Sequence, residues 1–292
     1  MTERIESLPS LVDRQYIGSC GANSEDRLGV IDEHVIDSRN LRLELVKRLD
    51  AGPQDVVIDE GSSNGTISRL VRKHRKFYGT LIGLEIALDA ISSAANIQVK
   101  EELLPARFVN ADMTELPFAD ESAHALINSL TWHHAKSDEK LNQAIDEAHR
   151  VLVPGGQLLV LVNSESQKQL HTEYLKEGGE ACGLETQERF AMRFSKESAP
   201  DILRDHSFVF NDDDIITQST EMHFIGEDGL FDWRVSLNTY FSEFIPPVTE
   251  EDDDKVNDLT AFWRQKYLGQ IAKTGYVSDN IDRIIINARK PN

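Results

Sequence analysis

The stretch Val56-Val57-Ile58-Asp59-Glu60-Gly61-Ser62-Ser63-Asn64-Gly65 runs from strand-like residues into a turn of small ones. Small residues let a backbone approach a ligand closely, and ligands of open α/β sheets bind at the carboxyl ends of strands. A second strand-like stretch, Thr80 to Leu84, ends in Glu85, 24 positions after Gly61. An acid at that place can accept hydrogen bonds from both hydroxyls of a ribose, the pattern expected for an adenosine cofactor. A third stretch ends in Asn110-Ala111-Asp112-Met113, where Asp112 can accept from an adenine amino group and Met113 can pack on the ring. A nicotinamide site calls for G-x-G-x-x-G, whereas only Gly61 and Gly65 stand in this turn, so a dinucleotide is disfavoured. His133 and His134 follow a fourth strand-like stretch, Ala125-Leu126-Ile127. An imidazole titrates near neutrality and can take a proton from a substrate hydroxyl or amine; it can equally hydrogen-bond the loop backbone. No further ligand stands nearby at metal-binding spacing, so no metal is expected. Asp59 can close its own turn as an Asx residue by accepting backbone N–H groups.

The elements that must position these residues alternate. Leu41, Leu45 and Leu49 share a helical face that Ser38 can cap and Gly52-Pro53 can stop. Strands are expected at 56–58, 80–84, 107–109, 125–127 and 158–162, with helices near 67–76, 88–95 and 140–152 between them. Short apolar strands separated by helices indicate a parallel sheet covered on both faces. After Asn163 the rhythm changes to longer helical stretches, with strands expected only at 215–217 and 284–286. Fourteen of the 21 aromatic residues lie at or beyond Phe190. They suggest a helical cap closing over an apolar ligand or a dimer surface, or they fill the cap's own core. The acidic runs Glu250 to Asp254 and Asp212 to Asp214 lack the alternation and glycine of a calcium loop and read as solvated loops. The basic cluster Arg69, Arg72, Lys73, His74, Arg75 and Lys76 suits the last turn of a helix, so it is not assigned to a phosphate site.

Composition limits the partners. The 292 residues carry 31 Lys plus Arg against 50 Asp plus Glu, a net charge of -19, which is the wrong sign for a phosphate-binding surface. Two cysteines, Cys20 and Cys182, make no disulfide framework. Neither a signal-peptide pattern nor an apolar run of membrane-spanning length is expected, and the cytoplasm is the default location.

From about Asp55 to Val162 the chain resembles the class I S-adenosylmethionine-dependent methyltransferases, in particular their small-molecule branch. The motifs that carry the resemblance are Asp59-Glu60-Gly61-Ser62-Ser63-Asn64-Gly65, Glu85, Asp112-Met113-Thr114-Glu115-Leu116-Pro117-Phe118, Trp132-His133-His134 and Arg150-Val151-Leu152-Val153-Pro154-Gly155-Gly156. Ser63 replaces the family's middle glycine, and His124 stands where the family has an Asp; neither departure touches the expected fold. The resemblance implies a doubly wound, mostly parallel seven-stranded α/β sheet of Rossmann-like type with N-terminal helices and a helical cap. Its implied domains are an N-terminal helical segment (1–52), the cofactor-binding core (53–164), the cap with the sixth strand (165–281) and the last core strand (282–292). It implies S-adenosylmethionine as cofactor and S-adenosylhomocysteine as product, bound by Asp59, Gly61, Ser62, Ser63, Gly65, Glu85, Asp112, Met113 and Ser129. His133 and His134 are the candidate catalytic residues, and Tyr16, Tyr240 and Phe244 the candidate substrate contacts. The implied reaction is in-line methyl transfer to an O, N or C nucleophile of a small molecule by a monomer or homodimer, without nucleic acid or membrane. The same fold also hosts non-methylating chemistry, such as cyclisation or decarboxylation, and non-catalytic cofactor-binding scaffolds.

Overall fold

The computed structural model describes residues 41–292 except 102–103, 136, 165–172, 188–193, 228, 231, 234–236, 238–243 and 247. The described residues fall into two compact units. One is built from residues 41–164, 194–218 and 282–292, the other from 173–187 and the described part of 219–281.

The first unit follows the alternating pattern. Helix α1 (Leu41–Lys47) precedes β1 (Val56–Glu60), α2 (Thr66–Arg75), β2 (Thr80–Glu85), α3 (Leu88–Lys100), β3 (Arg107–Asn110), β4 (Ala123–Ser129), α4 (Asp138–Val151) and β5 (Leu152–Asn163). Helix α5 (Ala199–Asp205), β6 (Ile215–Ile225) and β7 (Tyr276–Arg289) complete its order, while α6 (Asp253–Thr274), between β6 and β7 in the chain, belongs to the second unit. The seven-stranded sheet runs β3-β2-β1-β4-β5-β7-β6. The β1/β2, β1/β4, β2/β3 and β4/β5 pairs are parallel, and β7 pairs antiparallel with β5. This is the mostly parallel α/β sheet implied by the sequence.

Alternation of side chains along each strand sorts the core into two layers. On one face Val57, Leu81, Ala125, Ile127, Leu159 and Leu161 meet α1 and α2 through Leu45, Ile67 and Val71. On the other, Ile58, Leu84, Leu126, Leu158 and Val160 meet α4 through Leu141, Ala144, Ile145 and Ala148. Both layers are almost completely closed to solvent, so the strand ends are held by a rigid double-sided sandwich. Ser137 caps α4 by accepting from the Lys140 amide at 3.2 Å.

The expected helix ends and strand limits shift in several places, with β5 beginning at Leu152 rather than 158. Helix α3 continues to Lys100, because Ala90 and Ala94 keep its inner face small and buried. Strand β6 extends to Ile225 and β7 starts at Tyr276, both through polar residues absent from a search for apolar runs. The acidic run at Asp212–Asp214 forms a 3-10 turn closed by reciprocal hydrogen bonds of Asn211 and Asp214, and it leads directly into β6.

The second unit has its own core. On α6 the buried residues Val256, Leu259, Trp263 and Tyr267 recur every three or four positions and form one stripe. They pack with Tyr174, Met222, Phe224, Trp233, Leu237 and Phe244. Two of the large rings have their polar ends bonded: Trp263 Nε1 donates to the Tyr174 carbonyl at 2.8 Å and the Tyr267 hydroxyl to the Gly226 carbonyl at 2.8 Å. The described late aromatics are therefore mostly core material, while Phe194 and Phe208 belong to the core of the sheet unit. No helix among the described residues is long and apolar enough to cross a membrane.

Candidate functional site

At the end of β1 the chain turns through three left-handed residues, Gly61 (φ 68°), Ser63 (φ 47°) and Gly65 (φ 80°). Gly61 is required twice over, by its backbone angle and because a Cβ there would collide with the Thr131 side chain. Ser63 tolerates the same region at a strain of order 1 kcal/mol. The turn then starts α2, whose first turn is fixed by Asp59: its Oδ2 accepts from the Ser68 amide at 3.0 Å and the Ser68 hydroxyl at 2.7 Å. Burial pushes the Asp59 carboxyl up to about 6, and the two Ser68 bonds only partly oppose that.

Glu85 braces the turn from the neighbouring strand. Its Oε2 accepts from the Ser63 amide at 2.9 Å, and its Oε1 accepts from the Ile86 and Ala87 amides at 2.8 and 2.9 Å. A carboxylate offers about four acceptor positions, so three donors leave it with capacity for one more. The end of β3 is tied to the same place: the Asn110 amide group donates to the Glu85 and Ile86 carbonyls at 3.0 and 2.7 Å. Asp112 follows, exposed, with Oδ1 accepting from the Thr114 amide and hydroxyl. Met113 beside it packs on the α4-side core.

Strand β4 supplies the last group. Ser129 Oγ at its end and Ser62 Oγ in the β1 turn are buried without a hydrogen-bond partner among the described residues. The 3-10 turn Trp132–Ala135 comes next, with the His133 and His134 rings 4.0 Å apart. Its geometry is set by the His134 amide, which donates to the Thr131 carbonyl at 2.9 Å, and by Trp132, fully buried and stacked on Phe194 at 5.8 Å.

The structure thus brings Asp59, Gly61, Ser62, Ser63, Gly65, Glu85, Asp112, Met113, Ser129, His133 and His134 to the carboxyl ends of four adjacent strands, β3, β2, β1 and β4. Phe244 is buried in the core of the other unit, where its carbonyl accepts from the Gln187 amide. Tyr16 and Tyr240 lie outside the described residues. His124 sits at the opposite end of β4, where its Nδ1 accepts from the Val56 amide at 3.2 Å. Two cations of α2 tie it to its surroundings: Arg72 donates to the carbonyls of Phe77, Gly79, Leu104 and Pro105, and Lys73 pairs with Glu101 at 2.6 Å. Sequence reasoning missed Glu60, Asn128 and Thr131, which bind β1 to β4 under the site. The available signal was polarity: Glu60 and Asn128 interrupt otherwise apolar strands.

The arrangement suits an adenosine cofactor, with orphaned hydroxyls, a braced ribose-type acid and a turn stripped of side chains. Comparisons with known proteins agree. Residues 58–160 match the family model of the methyltransferase domain. The chain is 26% identical over 155 residues to malonyl-[acyl-carrier protein] O-methyltransferase 1 of Coxiella burnetii, covering 52% of this chain and 48% of that protein. It therefore spans about half the length of that relative. A Bacillus halodurans protein classed with the methyltransferases superposes with a TM-score of 0.58 at 20% identity, covering 86% of this chain and 99% of that one. Phosphoethanolamine N-methyltransferase 2 of Haemonchus contortus, solved with S-adenosyl-L-methionine, gives 0.54 at 16% identity, covering 98% and 61%. Residues 58–160 thus match the methyltransferase domain, and they stand on a sheet of the fold that these methyltransferases share.

Proposed function

We propose that the chain transfers the methyl group of S-adenosylmethionine to an O, N or C nucleophile of a small-molecule acceptor. The observation that carries this reading is Glu85, a nearly buried carboxylate at a strand end that already braces the β1 turn and still has an acceptor position to offer. When bound, S-adenosylmethionine supplies a sulfonium-activated methyl group. Glu85 accepts from a ribose hydroxyl at its remaining acceptor position, Asp112 from the adenine amino group, and Met113 covers the ring. Gly61, Ser62, Ser63 and Gly65 admit the remainder of the cofactor against the backbone, with the Ser129 hydroxyl as a further donor or acceptor. Asp59 acts one step back, by fixing the start of α2. His133 or His134 takes the proton that an O–H or N–H acceptor loses as it is methylated. Because a sulfonium is intrinsically reactive, alignment and exclusion of water are the main demands on the protein, and alignment alone is worth several kcal/mol.

Calorimetry with S-adenosylmethionine, S-adenosylhomocysteine and NAD tests the cofactor. The first two are expected to bind and NAD is not; tight NAD binding with no response to the other two would overturn the reading. Metabolite profiling with and without the protein, searching for a gain of one methylene mass, then identifies the acceptor.

A further inference from the structure

Glu60 is fully buried at the end of β1, opposite Asn128 in the β1/β4 register. Its Oε2 accepts from the Asn128 amide group at 2.6 Å and from the Trp132 indole at 2.9 Å, while Oε1 has no hydrogen-bond partner among the described residues. An apolar side chain would fill this position without a desolvated charge, since the neighbours on that face are Ile58, Leu84 and Leu126. The carboxyl therefore costs stability, and what it gains is a fixed arrangement of its two donors. Those donors hold more than themselves. Asn128 Oδ1 accepts from the Thr131 amide at 3.3 Å, and the Thr131 hydroxyl reaches back to the Glu60 carbonyl at 3.3 Å. Side chain and backbone of one residue of β1 thus grip both ends of the segment that leads into the two histidines.

We propose that Glu60 is a positioning residue: through the Asn128 amide and the Trp132 indole it fixes the turn that presents His133 and His134 at the strand ends. The part of this that concerns catalysis rests on the methyl-transfer reading; the anchoring does not. An ionised carboxylate is the stronger acceptor, so the grip tightens when Glu60 loses its proton. Burial moves that event up to about 7. The charged groups around it act in the same direction or are already paired. Asp112 beyond β3 and Glu147 on α4 both raise it, and Glu147 is itself held by Arg150 at 2.7 Å. Asp59 precedes it on β1, Glu85 ends the adjacent β2, and His133 and His134 lie on the turn itself.

The test uses the full chain and two conservative variants. Glu60→Gln keeps the shape and removes the titration; Trp132→Phe keeps the ring and removes only the indole donor. In nitrogen-15 correlation spectra from pH 5.5 to 8.5, the wild-type Trp132 indole and the amides of residues 131–134 are expected to shift together with a midpoint near 7. Glu60→Gln should lose the coordinated shift of those amides, Trp132→Phe should weaken it while the Asn128 contact remains, and the melting temperature of Glu60→Gln should not fall. S-adenosylhomocysteine should bind Glu60→Gln within about threefold of wild type. Transfer of labelled methyl from S-adenosylmethionine into a metabolite extract should fall about tenfold in Glu60→Gln and lose its rise between pH 6 and 8. Persistence of the amide shift in Glu60→Gln would overturn the anchor. Loss of that shift with unchanged transfer and pH profile would overturn the positioning role. A wild-type protein that neither binds S-adenosylhomocysteine nor transfers methyl would defeat the methyl-transfer reading and the catalytic part with it, while the spectra would still decide the anchor.

Discussion

Glu85 carries two tasks at once, and its variants should separate them. Glu85→Ala is expected to weaken S-adenosylhomocysteine binding by about 1.5 to 3 kcal/mol, the usual worth of hydrogen bonds to a charged group, measured by calorimetry. The fold should survive, but the amides of Ser63, Ile86 and Ala87, which lose their acceptor, should exchange hydrogen faster. The two buried acids of β1 make a separate prediction about pH. Burial raises Asp59 from 3.8 to about 6 and Glu60 from 4.5 to about 7. Between those limits the folded state binds more protons than the unfolded one, so their contribution is full below the lower value and is lost as pH rises through the upper one. Each shift corresponds to a loss on the order of 3 kcal/mol. Glu60→Gln should therefore stabilise the protein relative to wild type at pH 8 and much less at pH 4.5, as read from urea titrations at the two values. The sequence made Glu85 and Asp112 legible because acids that end strands stand out. Glu60 was passed over because the same motif places it between two more conspicuous residues, and only the register with Asn128 gives it a partner.

At the scale of elements, the β1 turn and the segment after β4 fit each other. Gly61→Ala should cost cofactor affinity at least tenfold, because a methyl group there meets Thr131 and the backbone angle is left-handed. Adding Thr131→Ala should recover part of that loss and no more, since only the collision is relieved; calorimetry on the single and double variants measures the difference. In the second unit, Trp263→Phe removes a donor to the Tyr174 carbonyl and some buried volume, and should cost about 1 to 3 kcal/mol in urea unfolding. The strands of the parallel core were legible as apolar runs, because both faces of a parallel sheet are buried. Strand β6 was shortened by the same logic: its exposure alternates through Thr217, Ser219 and Glu221, so one face is polar and no run forms. The start of β7, Tyr276 to Asn280, is hidden by Ser278, Asp279 and Asn280 in the same way.

Across the whole molecule, a charge of -19 sets what the surface attracts. Short RNA and DNA duplexes should show no binding in anisotropy titrations at physiological salt, because a net charge of -19 repels a phosphate backbone. The order of the sheet has a different consequence. Strand β7 lies inside it, paired with β5 along Leu158 to Asn163, yet it is separated from β5 by roughly 120 residues of chain. A ribosome adding about 5 to 20 residues per second needs on the order of ten seconds to cover that distance. Throughout that interval the apolar edge of β5 has emerged without its neighbour, so the nascent chain must be shielded by a chaperone or delay its collapse until translation reaches Arg289.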